Sequence, residues 1–95
     1  MAIGHLTDAS GTITTGGTAQ VLLAANPARK YLFVQNPITA TETLRVCPDA
    51  TATTTNSYEL AAGGVLELSD EEFLSTGAIS ILAATTAHAF IAKWG

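Results

Sequence analysis

The stretch Tyr58-Glu59-Leu60-Ala61-Ala62-Gly63-Gly64-Val65-Leu66-Glu67-Leu68 decides the fold class. Tyr58 and Leu60 share one face with Glu59 opposed, and Leu66 and Leu68 repeat that order around Glu67. A two-residue period belongs to a strand with one core face and one wet face. Residues 61–64 between the two runs predict a hairpin loop. Ile79-Ser80-Ile81 follows the same alternation, with Ser80 on the wet side.

Working outward, turn signals recur at Gly11, Gly16–Gly17, Asn26–Pro27, Asn36–Pro37, Pro48–Asp49, Asn56, Gly63–Gly64, Ser69–Asp70 and Thr76–Gly77. Short runs at a spacing of about 8–12 residues predict an all-β sandwich or jelly roll. Seventeen alanines favour helix, but fifteen β-branched threonines favour pleated surfaces. No stretch sustains a 3.6-residue apolar period, so the punctuation wins. Strands are expected at about 11–15, 18–24, 30–36, 42–47, 57–61, 64–69, 78–83 and 88–94. Gly16–Gly17 predicts a hairpin between the first two. A helical turn has room near Asp70–Phe73. Residues 1–10 lack strand punctuation and read as a flexible arm, loose unless it docks. Residues 11–95 then form a single antiparallel β domain.

The expected core is Leu32, Val34, Leu60, Leu66, Leu68, Ile79, Ile81 and Phe90. Two runs depart from alternation: Tyr31-Leu32-Phe33-Val34 and Phe90-Ile91-Ala92 are apolar on both faces. One sandwich core takes one face from each strand, so large apolar side chains are left over. Surplus apolar surface marks a partner site. The sequence therefore predicts a homo-oligomer whose interface includes at least one of Tyr31, Phe33, Ile91 and Trp94.

Charge and chemistry exclude more than they suggest. Four basic residues face eight acidic ones, a net charge of −4. Four scattered bases cannot supply the phosphate contacts on which nucleic-acid affinity rests. No apolar run reaches the roughly 20 residues of a spanning helix, and the first 28 residues hold no Lys or Arg for a leader's charged region. No membrane or nucleic-acid partner is expected. Cys47 stands alone, a small half-buried side chain without a disulfide partner. His5 and His88 are isolated, so no metal is expected. Asp70-Glu71-Glu72 lacks the spaced ligands and central Gly of a calcium loop. His88 with Asp49 or Asp70 is the one conceivable acid–base set, and nothing in the spacing recommends it. The double glycines do not continue into a phosphate-binding motif. No enzyme and no cofactor are expected.

Several stretches resemble short virion proteins of tailed bacteriophages. They are residues 11–20, residues 26–36 from Asn26-Pro27-Ala28-Arg29 to Gln35-Asn36, residues 60–68, and residues 77–86. The order is a threonine-rich hairpin, an Asn-Pro turn before a basic residue, and an apolar strand ending in Gln-Asn. Thr39 to Asn56 departs from that pattern, and Thr51-Ala52-Thr53-Thr54-Thr55 reads as an exposed loop. The resemblance implies a non-enzymatic structural protein, made in the host cytoplasm and carried on the capsid surface. Its role there would be decoration or cement, bridging subunits of the major capsid protein. Two alternatives stay open. One is a low-copy tail, head-fibre or adaptor component. The other is a carbohydrate-binding host-attachment module, for which Tyr31, Tyr58 and Trp94 are the candidate aromatics.

Overall fold

In the computed structural model, residues 5–69 and 76–95 are described, and the expected helical turn near Asp70–Phe73 lies outside them. Among the described residues there are nine short strands: β1 (Thr7–Asp8), β2 (Gly11–Thr12), β3 (Gln20–Leu23), β4 (Tyr31–Gln35), β5 (Leu44–Pro48), β6 (Tyr58–Leu60), β7 (Val65–Ser69), β8 (Ile79–Leu82) and β9 (Ala89–Trp94). They form two antiparallel sheets. One runs β1-β9-β4-β7 with β2 also on β9, and the other runs β3-β8-β5-β6. The all-β, two-sheet reading of the sequence is what the chain adopts.

The pairing differs from the two expected hairpins. β2 pairs with β9 and β3 with β8, so Gly16–Gly17 turns the chain from one sheet to the other. Likewise β6 pairs with β5 while β7 pairs with β4, and residues 61–64 form a corner between layers. The turn chemistry itself holds, because Gly17 and Gly63 both sit at φ 79, a region glycine enters without steric cost. A left-handed turn fixes where the chain reverses. It does not fix which strand lies alongside afterwards. Of the sequential strand pairs, β5 and β6 are hydrogen-bonded neighbours.

The arm segment docks on the chain itself. Thr7 pairs with Trp94 and Asp8 with Lys93, and Gly11 and Thr12 continue along the same strand opposite Phe90 and Ala89. The Ala9 N–H donates to the Ala92 carbonyl at 2.8 Å. Asp8 accepts from Ser10 Oγ at 2.7 Å and from Lys93 Nζ at 3.0 Å, which fastens the first strand to the last.

Between the sheets lie Leu32, Val34, Leu44, Val46, Ile79, Ile81 and Ala92, all fully buried, with Ile13, Leu60, Leu66 and Phe90 nearly so. Leu68, expected in the core, is half-buried and packs against its edge. Tyr58 is 55% exposed although Leu60 beside it is buried. β6 is an edge strand, and a large ring at its start spills past the layer opposite.

Ser80 is the clearest correction. The alternation puts it on the wet side, yet every residue of β8 is buried. The loop after β5 folds back over this outer face, and Ala52 packs with Cys47 and Leu82 in a second small cluster. The Ala52 N–H donates to Ser80 Oγ at 2.9 Å. Thr51, Thr53, Thr54 and Thr55 are exposed as expected, while Ala52 is the plug. Cys47 is free and buried. The strand covered twice by its own chain is therefore β8, not β4 or β9.

Candidate functional site

The outer face of the five-stranded sheet carries the surplus apolar side chains. Alternation along β4 sends Leu32 and Val34 inward and leaves Tyr31, Phe33 and Gln35 half-buried on the outside. In β9, Phe90 and Ala92 point inward and Ile91 and Lys93 outward. Register then sets out the rows. Ile91, Gln35 and Val65 lie side by side, and so do Asp8, Lys93, Phe33 and Glu67. Val65 is 46% exposed, and the side chain of Ile38, 81% exposed, reaches toward Gly63 beside it. The strand contacts of β4 are chiefly with its lateral neighbours β7 and β9.

Three of the four residues expected at an interface thus share this face: Tyr31, Phe33 and Ile91. Trp94 does not. It alternates with Lys93 onto the core side and packs against the buried cluster. The aromatics expected for sugar binding are not gathered either. Tyr31 faces outward, Trp94 inward, and Tyr58 sits at the edge of the other sheet. The Tyr31 hydroxyl donates to the Glu67 carboxylate across the face. That bond, then burial and the carboxylate's charge, push the phenol up to about 12.

Both ends of β4 are held by buried polar residues, and sequence reasoning assigned neither a role. At the entry, Arg29 is 2% exposed. It donates through Nη1 to the Gly77 carbonyl at 3.1 Å and through Nη2 to the Ala24 carbonyl at 2.8 Å. Burial lowers its pKa, and the charge of Asp49 acts against that. Asp49 has a φ of 68, a left-handed conformation that Asp tolerates better than most residues. At this end Asp49 is separated from His88 by the length of the sandwich, so the two do not form an acid–base set. Asp70 lies outside the described residues.

At the exit, Asn36 is fully buried and ties three segments together. Its Nδ2 donates to the carbonyls of Glu42 and Leu60, both at 2.9 Å. Its Oδ1 lies 2.8 Å from His88 Nε2. His88 Nδ1 in turn lies 3.6 Å from Glu42 Oε1. The other carboxylate oxygen of Glu42 accepts the Ala84 N–H at 2.9 Å. Hydrogen bonding from Thr85, then from the Ala84 amide and His88, keeps the Glu42 carboxyl below its usual pKa, against a raising effect of burial. His88 therefore faces an amide and a carboxylate, and among the described residues neither ring nitrogen is bonded to a Ser or Thr hydroxyl. His5 is exposed beside Gly95, whereas His88 precedes β9. The six residues of β9 separate the histidines by about 20 Å at roughly 3.3 Å per residue, too far to share a ligand.

The signal that could have found these residues is positional. Asn36 and Arg29 bracket the most apolar strand, where a polar side chain must find backbone partners or lose stability. Compared with known proteins, the chain matches no family model, no curated sequence and no solved structure.

Proposed function

We propose that the protein is a non-enzymatic structural component of a virus particle. In this reading it is a capsid decoration or cement protein that associates with itself as a trimer and bridges neighbouring subunits of the major capsid protein. The observation that carries the proposal is the asymmetry of the two outer faces. The middle of the four-stranded sheet's outer face, around Cys47, Ser80 and Leu82, is capped by the chain's own Ala52 loop, and Val21 on its edge strand stays exposed. The five-stranded sheet leaves Tyr31, Phe33, Ile91 and Val65 facing outward. Apolar side chains gathered on one open face are what a docking partner buries. Arg29 and Asn36, both within the stretch that resembles phage virion proteins, hold the loops at the two ends of β4.

Light scattering on the purified chain, alone and with empty capsids, tests the reading. A trimer that co-sediments with capsids is expected. Phe33→Asp and Ile91→Asp each place a charge on that outer face and should give monomers that no longer bind capsids. If both variants keep the wild-type mass, the outer face is not the interface. A count of about a dozen or fewer copies per particle would transfer the assignment to a low-copy tail, head-fibre or adaptor position.

A further inference from the structure

The Glu42–His88–Asn36 cluster has a property that neither the fold nor the proposed function uses. The amide of Asn36 cannot be turned over. Its Nδ2 donates to two backbone carbonyls, and a flip would set Oδ1 against both. Oδ1 is therefore the atom facing His88, and His88 Nε2 must carry a hydrogen to bond it at 2.8 Å. In the neutral ring the lone pair is then on Nδ1, and Nδ1 faces the Glu42 carboxylate at 3.6 Å. A lone pair against an anion gains nothing. A second ring proton, taken from solvent at Nδ1, converts that contact into an ion pair and satisfies both acceptors.

The cluster also bridges two loop segments. Glu42 belongs to the segment between β4 and β5, and His88 closes the turn between β8 and β9. The two segments line a shallow groove of about 300 Å³, and Glu42 and His88 are its titratable members, the other lining residues being uncharged. The His88 side chain is 7% exposed and that of Glu42 23%. Ala87, next to His88, holds a φ of 69, a left-handed conformation that non-glycine residues seldom adopt. That turn is held in place partly by the Ala84 N–H on Glu42.

We propose that this cluster is a proton-operated latch. Uptake of a proton at His88 Nδ1 pairs the ring with Glu42 and draws the 84–88 turn onto the segment that follows β4, across the groove they share. Imidazole is the side chain that ordinarily changes charge between pH 5 and 8. Glu42, held low by the Thr85 hydroxyl and the Ala84 amide, stays ionised through that window. Asn36, Thr85 and Thr86 beside the ring do not titrate.

Long-range nitrogen–proton correlation spectra of the full chain test the latch, with exposed His5 as the internal control. At pH 8 His88 is expected as the Nε2–H tautomer, and at pH 5 with hydrogens on both nitrogens. The Ala84 amide, after correction for intrinsic exchange, should be several-fold better protected at pH 5.5 than at pH 8. Glu42→Gln keeps an acceptor for Ala84 but removes the anion, so the pH dependence of protection should vanish. An Nδ1–H tautomer in the neutral wild-type ring overturns the proposal, and so does protection that does not change with pH. The tautomer is read on the wild type, so the proposal remains open to refutation even if the variant does not fold.

Discussion

Ser80 Oγ accepts the N–H of Ala52 at 2.9 Å, and that bond seats a loop on the outer face of β8, 28 residues away in sequence. Around it Cys47, Ala52 and Leu82 make a second dry cluster. Ser80→Ala leaves the buried Ala52 N–H without an acceptor, a loss of about 1–3 kcal/mol. Chemical denaturation should register that loss, and exchange of the Ala52 amide should accelerate beyond that of the β5 ladder. Unchanged exchange at Ala52 would mean that the loop is held by something other than Ser80.

Ile81 is fully buried between the sheets and Leu66 is 9% exposed on the facing layer. Truncation of either to Ala should cost about 2–5 kcal/mol, the lost transfer energy plus a cavity. Val21, 66% exposed on edge strand β3, is the control, and Val21→Ala should stay within about 0.5 kcal/mol. Thermal melts of the three variants separate the register described here from one shifted by a residue, which would exchange the sensitive and tolerant positions.

Gly16 is required for closeness, not for dihedral freedom. A Cβ there would lie 2.4 Å from the Ala84 carbonyl oxygen and 2.5 Å from the Thr86 nitrogen, both backbone atoms. Gly16 N–H also donates to Thr86 Oγ1 at 2.9 Å, and Gly17 N–H to the Ala83 carbonyl at 2.8 Å. Gly16→Ala must push two backbones apart, a cost of about 1–3 kcal/mol. In a domain of this size each kcal/mol lowers Tm by about 4–8 °C. A melt within a degree of wild type would show that the two loops are not interlocked.

The first strand should respond to acid. Ser10, chiefly through its hydroxyl, and then Lys93 hold the Asp8 carboxyl down at about 2, below its ordinary 3.8. A depressed carboxyl contributes stability that is present above the ordinary value and is lost as pH falls from about 3.8 through about 2. Asp8 is exposed, so the effect is local to β1 and weakened by salt. Trp94, the single tryptophan, pairs with Thr7, and its emission should shift across that window. The shift should be absent from Asp8→Asn. A wild-type emission flat down to pH 2 would refute the pairing.

The strands were legible because their signals are local. Alternation around Glu67, glycine at Gly63 and the apolar run from Tyr31 are all read within a few residues, and β4, β7 and β9 lie where those signals put them. Partnership was not legible. Gly17 states that the chain reverses, but only the packed sandwich decides that β2 meets β9 and β3 meets β8. The polar hubs were hidden for the same reason. Asn36 and Glu42 look like ordinary turn residues until Leu60 and His88 arrive from 24 and 52 positions beyond Asn36. Ser80 misled because its alternation is correct and only the cover over it is non-local.

The position of β9 governs when this chain can fold. The strand lies between β1 and β4, so residues near both extremes of the described chain meet on it. Until residues 89–94 have been synthesised, that sheet is reduced to the β4–β7 pair, and two strands alone are marginal in water. Assembly of this sheet must therefore await residues 89–94. Contacts so distant in sequence belong to the slow class of β proteins, on the order of milliseconds to seconds. During that interval both faces of β4 stand bare, and crowded nascent chains have their greatest opportunity to aggregate.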